Sequence, residues 1–316
     1  MNILFGNDYM PEFVASLQAE LPDHSVREAP EDAVINAVSD IHVILPSRAI
    51  ISSEVMDAAP QLQLIQQAGI GTDMVDRAAA RTRGIPVANV PGPIGGLGKA
   101  VAETALFLMI GAGRNMAALN RALASRDWKL PVGYSVFGAR VCIVGVGGIG
   151  GQLARMLQAF DCEVVGVKQT PDPALQQELG LAALFTSDQL VEAVHGCRFL
   201  VVAAPLNDST IGLINDDVLE ALPEDSVVVN IARGQLIDKA ALMTVLKSGH
   251  VRTAGLDVFW EEPANLNDPL FELDVFATPH CPAATDLYIR DTAAGAAANV
   301  RRLERGEPLE WLVEAP

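Results

Sequence analysis

The chain is short of basic residues, of cysteine and of long apolar runs, and each shortage removes a class of function. Lys and Arg number 22 against 39 Asp and Glu, leaving a formal net charge of −17. A surface so biased repels phosphates at low salt, so nucleic acid is not an expected partner, and any anionic ligand has to be held by a local cluster of donors. The four cysteines, Cys142, Cys162, Cys197 and Cys281, make no C-x-x-C pair. That leaves neither a zinc ribbon nor a dithiol redox motif, and no metal site is expected. Apolar stretches such as 105–110 and 199–206 fall far below the roughly 18 residues a membrane span requires, so no membrane partner is expected either. The opening MNILFGNDYM has no basic region and only a brief apolar run. A signal peptide is therefore not expected, and the cytoplasm is the expected compartment.

What is present is the composition of a packed protein: 316 residues, half of them apolar and 19% charged. At roughly 150 residues per domain the length suggests two domains. In the first hundred residues, apolar runs at 3–5, 41–45, 62–66 and 86–89 alternate with helix-like stretches at 12–21 and 54–59, the pattern of a parallel α/β unit. VPGPIGGLG, at 90–98, can continue neither a helix nor a central strand and marks a boundary. The Ala- and Leu-rich stretch from Lys99 to about Ala124 predicts one long helix. A second α/β series follows, with five strands predicted at 141–144, 164–167, 199–203, 227–230 and 253–257, enough for a doubly wound sheet. The Ala-rich stretch at 293–302 predicts a helix that returns to the first domain.

The first strand of the second series runs into GVGGIG and then a helix-like segment. In that setting Gly145 suits the tight turn, Gly147 a close approach to a pyrophosphate, and Gly150 the packing of helix on strand, with Gly148 and Ile149 completing a dinucleotide cradle. About 20 residues on, where a carboxylate usually bonds the ribose hydroxyls of NAD, the chain has Lys168, Gln169 and Thr170. An ammonium and a hydroxyl can receive a 2′-phosphate, so NADP is favoured over NAD; a solvated lysine at a strand end is the alternative.

Three further segments concentrate polar residues. In VVVNIARGQLID, Arg233 follows a buried-looking strand and suits a substrate carboxylate, which a guanidinium holds bidentately. AGLDVFWEEP ends a strand on Asp257 and presents Glu261 and Glu262 before a proline, and ATPHCPAAT sets His280 between apolar flanks and a turn. His24, His42, His195 and His250 look like surface, turn or packing positions. A carboxylate bonded to an imidazole raises its pKa and fixes its tautomer, making a proton donor usable near neutrality. An arginine, a Glu–His pair and a dinucleotide specify hydride transfer to a carbonyl.

In order and spacing, GVGGIG, PLNDSTIGLIN, VVVNIARGQLIDKAAL, AGLDVFWEEPANLNDPL and TPHCPAAT resemble the D-isomer-specific 2-hydroxyacid dehydrogenases, as do QQAGIGTDMVD and KAVAETALFLM in the first part of the chain. The resemblance implies an α/β protein of two Rossmann- or flavodoxin-like lobes with doubly wound parallel sheets and an interdomain cleft. Residues 1–98 with 284–316 would form the substrate domain and 99–283 the dinucleotide-binding domain, in a homodimer. It makes Arg233 the substrate-binding arginine, His280 the acid/base and Glu262, which immediately precedes the proline, its partner. Asp257 would meet the nicotinamide carboxamide, Pro205, Thr210, Ile231 and Ala232 the cofactor, and the backbone of Ile70 and Gly71 the substrate carboxylate. Lys99 and Trp260 are candidates for tuning substrate choice, although a solvated lysine and a packed aromatic are the plainer readings. Pro282 departs from the small residue usual there and removes a backbone donor.

The expected activity is NAD(P)H-dependent reduction of a small 2-oxo acid such as glyoxylate or hydroxypyruvate. Glu262 argues against the formate branch, which pairs its histidine with Gln. A phosphite-type dehydrogenase and a dinucleotide-sensing corepressor-like protein are the alternatives, the latter disfavoured by the acidic charge.

Overall fold

The apolar runs of the sequence become the strands of two parallel sheets in a computed structural model, which describes residues 1–91, 96–128, 130, 132–282 and 284–313. The chain divides into two units, Met1–Ala100 with Ala283–Pro316, and Val101–Pro282. Residues 92–95 of the expected boundary segment, and Ala283, lie outside the described residues.

The first unit contains β1 (Asn2–Phe5), α1 (Pro11–Glu20), β2 (Ser25–Glu28), β3 (Val43–Leu45), α2 (Ser53–Asp57), β4 (Leu64–Gln66), α3 (Arg77–Thr82) and β5 (Val87–Ala88). Its strands pair in parallel in the order β2-β1-β3-β4-β5, so the order reverses between β1 and β3. Alternate residues serve opposite faces: Leu4, Ile44, Ile65 and Val87 enter one core, and Ile3, Phe5, Val43, Leu45, Leu64 and Ala88 the other. A sheet covered on both faces needs continuous apolar strands, which is why these runs show no polar alternation. Strand β2 was not expected; it is an edge strand of sequence SVRE with no residue fully buried, so it leaves no hydrophobic signal.

The single helix expected from Lys99 to Ala124 is two, α4 (Leu97–Gly113) and α5 (Met116–Ser125). Asn115 breaks it with a left-handed backbone (φ 51°), and its Oδ1 caps the second helix by accepting from the Ala118 amide at 3.1 Å. The second unit continues with β6 (Arg140–Val144), α6 (Gly148–Gln158), β7 (Glu163–Val167), α7 (Pro173–Glu178), β8 (Ala183–Phe185), α8 (Leu190–Ala193), β9 (Phe199–Val202), α9 (Asp216–Glu220), β10 (Ser226–Asn230), α10 (Lys239–Ser248), β11 (Val251–Leu256) and β12 (Val275–Ala277). Seven parallel strands, rather than the five expected, stand in the order β12-β11-β10-β9-β6-β7-β8. The two additions are the outermost strands, three residues each and only partly buried.

The last helix, α11 (Asp286–Arg305), packs on α1 and places Ala293, Ala296, Ala297 and Val300 in the core of the first unit. Its buried Asn299 donates to Gln66 Oε1 at 2.8 Å. No helix among the described residues is long and apolar enough to cross a membrane.

Candidate active site

Six of the loops singled out in the sequence leave the carboxyl ends of consecutive parallel strands in the second unit, after β6, β7, β9, β10, β11 and β12. That edge is where an open α/β sheet binds ligands, and the order reverses there between β6 and β9.

At the end of β6, Gly145 turns with φ 98°, and its amide donates to the Val167 carbonyl at 2.9 Å. A Cβ at Gly145 would lie 2.6 Å from the Ala204 nitrogen. Gly147 is the N-cap of α6 and makes no side-chain cap, so the first amides of the helix, those of Gly148 and Ile149 among them, have no intrahelical acceptor. A Cβ at Gly150 would run into the Gly145 carbonyl oxygen. The helix therefore starts directly against the turn, with its positive end exposed to an anion. Lys168 follows the residue that accepts from Gly145; it is half-buried, whereas Gln169 and Thr170 are exposed. Pro205 is exposed, and the Thr210 hydroxyl closes its loop by donating to the Pro205 carbonyl at 2.9 Å and accepting from the Asn207 amide at 2.8 Å. Ile231 is buried and Ala232 half-buried.

The polar residues beyond β10, β11 and β12 form a connected set. His280 Nδ1 lies 2.7 Å from Glu262 Oε2, while Glu262 Oε1 accepts from the Phe259 amide at 3.0 Å. An ionised carboxylate only accepts, so Nδ1 carries the proton and Nε2 is left to exchange one. Glu261 is exposed and makes no such contact among the described residues. The His280 backbone is left-handed (φ 53°), and the turn is tied on both sides to Asp257, whose Oδ1 accepts from Thr278 Oγ1 at 2.6 Å and from the Cys281 amide at 3.0 Å. Asp257 Oδ2 is buried without a partner. Burial pushes the Asp257 carboxyl above the usual carboxylate range, against the lowering effect of Thr278 and Cys281. An orphaned buried acceptor calls for a donor, and the NH2 of a nicotinamide carboxamide suits it. With the uncapped glycine turn, it is the observation that makes these residues fit a nicotinamide dinucleotide.

Arg233 is held by a residue the sequence reading missed. Asn230, fully buried, accepts from the Ala232 amide at 3.0 Å and donates to the Arg233 carbonyl at 2.8 Å, while its own carbonyl accepts from the Asp257 amide at 3.0 Å. Arg233 Nη1 donates to the Ala232 carbonyl at 2.7 Å. Gly234 was also missed: a Cβ there would meet the Phe259 carbonyl, so the arginine turn packs directly on the segment leading to Glu262. The available signal was a polar residue closing the otherwise apolar strand VVVN. Trp260 is packed, its Nε1 donating to the Ile237 carbonyl at 2.8 Å. Pro282 is buried.

In the first unit the loop after β4 carries Ile70, exposed, and Gly71, half-buried. Asn89 Nδ2 donates to the Ile70 carbonyl at 2.8 Å and Gln67 Nε2 to the Gly71 carbonyl at 2.9 Å. Lys99 is exposed in the first turn of α4. Among the described residues no group of His, Cys, Asp and Glu could hold a metal ion.

Residues 106–282 match the family model described as D-isomer specific 2-hydroxyacid dehydrogenase, NAD binding domain. The chain is 36% identical over 309 residues to the D-3-phosphoglycerate dehydrogenase of Mycobacterium tuberculosis, covering 96% of this chain and 57% of that protein. It is 33% identical over 298 residues to the glyoxylate reductase of Thermococcus kodakarensis, covering 91% of this chain and 87% of that one. The crystal structure of an NADPH-dependent glyoxylate/hydroxypyruvate reductase from Sinorhizobium meliloti, in complex with NADP and malonate, aligns with a TM-score of 0.82 at 28% identity, covering 99% of this chain and 96% of that chain. The chain spans little more than half the length of the mycobacterial relative. With a family model over most of its second unit and a relative of similar length at this identity, the chain belongs to the D-isomer-specific 2-hydroxyacid dehydrogenase family.

Proposed function

We infer that the protein reduces a small 2-oxo acid, of the size of glyoxylate or hydroxypyruvate, to the D-2-hydroxy acid with NADPH preferred over NADH. The observation that carries the reading is the Glu262–His280 pair at 2.7 Å, on the same sheet edge as the glycine cradle. The bound reduced nicotinamide supplies the hydride. The protein's own residues do the rest: Arg233 holds the substrate carboxylate, and His280 Nε2 gives its proton to the carbonyl oxygen as negative charge develops there. Glu262 holds the imidazole in the tautomer that allows this and balances its charge beforehand. Asp257, with its unpartnered buried Oδ2, would accept from the carboxamide. Lys168 receives the 2′-phosphate.

In this reading residues 99–283 bind the dinucleotide and 1–98 with 284–316 take the substrate, through the amides of the Ile70–Gly71 loop, with Lys99 in the first turn of α4 as a further substrate contact. The names of the relatives support the substrate class, since glyoxylate reductases are among them. The resemblance also supports a cytoplasmic homodimer.

The test is steady-state oxidation of NADPH and NADH against glyoxylate, hydroxypyruvate, pyruvate and phenylpyruvate, with phosphite in the oxidative direction. Turnover of a 2-oxo acid with NADPH is expected, and His280→Ala should lower kcat by about 10²- to 10⁴-fold while leaving dinucleotide binding intact. Cofactor binding without turnover of any acid would overturn the reading in favour of a sensor.

A further inference from the structure

One hydroxyl on a buried side chain is left unused by the site described above. Tyr288, in the first turn of α11, is only 8% exposed, and among the described residues no hydrogen bond engages its phenol oxygen. A phenol oxygen that takes no partner from the fold, on a side chain that is otherwise buried, is left to serve a ligand. The oxygen lies against the loop after β4: a Cβ built on Gly69 would be 3.1 Å from it. Any side chain at position 69 would therefore crowd the hydroxyl.

The same loop offers donors of its own. Its carbonyls are tied back, that of Ile70 to Asn89 and that of Gly71 to Gln67. In a planar trans peptide the N–H points opposite to the carbonyl, so the Gly71 and Thr72 amides are directed away from those anchors. Among the described residues no hydrogen bond takes the amides of Gly69, Ile70 or Gly71. The surroundings are uncharged at this point, and burial alone pushes the Tyr288 phenol up to about 12. The hydroxyl is thus a proton-bearing donor across the whole neutral range, beside a strip of backbone donors. A buried donor next to unclaimed amides suits an anion with two oxygens.

We propose that Tyr288 is a substrate-binding residue whose hydroxyl donates to the carboxylate of the 2-oxo acid, alongside the amides of the 69–71 loop. The inference rests on the function proposed above but has its own readout. In the protein saturated with NADPH or NADH, the dissociation constant of oxamate, a carboxylate that cannot be reduced, is measured for the parent and for Tyr288→Phe. The variant should bind oxamate about 10- to 100-fold more weakly, the range for a hydrogen bond to a charged group. Its KM for the 2-oxo acid should rise similarly while kcat stays within a few-fold. Its melting temperature without ligand should be unchanged, because the hydroxyl bonds to nothing among the described residues. Gly69→Ala, which pushes a methyl group towards the hydroxyl, should weaken oxamate in the same direction.

Equal oxamate affinity in parent and Tyr288→Phe, or no oxamate binding by the parent, overturns the proposal. So does a melting temperature lowered by several degrees in Tyr288→Phe, since the hydroxyl would then be serving the fold. Failure of the parent to turn over any 2-oxo acid, with the oxamate difference intact, would sink the reductase reading and leave Tyr288 as part of a carboxylate site.

Discussion

Ionising Asp257 is costly where it stands. One of its oxygens has two donors and the other, fully buried, has none. Its folded-state pKa is raised by burial, so the stability linked to this group is present below the usual carboxylate range and lost as pH climbs through the raised value. At neutral pH the charged side chain therefore works against the fold until a donor arrives. Asp257→Asn keeps the oxygen that accepts from Thr278 and Cys281 and removes the charge. Without dinucleotide the variant should melt higher than the parent at pH 7, by an amount of order 1 kcal/mol, and the gap should close as pH falls towards 4. With saturating dinucleotide the advantage at pH 7 should shrink or reverse. Thermal unfolding at the two pH values, with and without NADPH, checks both parts. The residue types at this site were legible in their motifs; the partners were not. Asn230 acts by closing the turn two and three residues after it, Thr278 by reaching a neighbouring strand end 21 residues away in sequence, and Tyr288 meets Gly69 only because α11 returns to the first unit.

At the scale of elements, two adjacent glycines of α6 separate helix propensity from close approach. Replacing a helical glycine by alanine ordinarily stabilises by up to about 1 kcal/mol. At Gly151 the new methyl would meet Leu179 at 3.5 Å, an ordinary contact, so Gly151→Ala should be neutral or stabilising with dinucleotide affinity kept. At Gly150 the methyl would collide with the Gly145 carbonyl and approach Ile143 at 3.0 Å. Backbone cannot yield as a side-chain tip can, so α6 must shift from the turn. Gly150→Ala should lose at least tenfold in dinucleotide affinity and lower the melting temperature, as fluorescence titration with NADPH and thermal unfolding would show. The strands that were legible are those buried on both faces, because only they require uninterrupted apolar residues. The edge strands β2, β8 and β12 hide because a half-wet strand of three or four residues resembles a loop. The break between α4 and α5 hides because an asparagine inside an Ala-rich stretch does not announce a left-handed backbone.

For the whole molecule, the α/β class was legible as two successive series of apolar runs, but strand order was not. Local sequence says which segments extend; which neighbour each takes is decided by the crossovers, and the two series resolve them differently, the first crossing back past its first strand after two strands and the second after three. In the second sheet, four strand spacings separate the loop after β7, with Lys168, from the loop after β11, with Asp257. At about 4.8 Å each, the two loops stand roughly 19 Å apart, well past the range at which substitutions couple. Lys168→Ala should weaken NADPH far more than NADH, and equal loss for both would remove Lys168 from the 2′-phosphate. The effect should be the same, within about 0.5 kcal/mol, whether position 257 is Asp or Asn.

That separation bears on how such a protein changes over time. The uncapped turn at Gly145 to Gly147 asks nothing of the groups at either end of the ligand it cradles. In the proposed reading, electron-donor preference can drift at Lys168, Gln169 and Thr170 while the Glu262–His280 pair, 2.7 Å apart beyond β11 and β12, stays under its own selection. A lineage can thus move between pools of reduced dinucleotide by substitutions on one loop, without passing through an inactive ancestor.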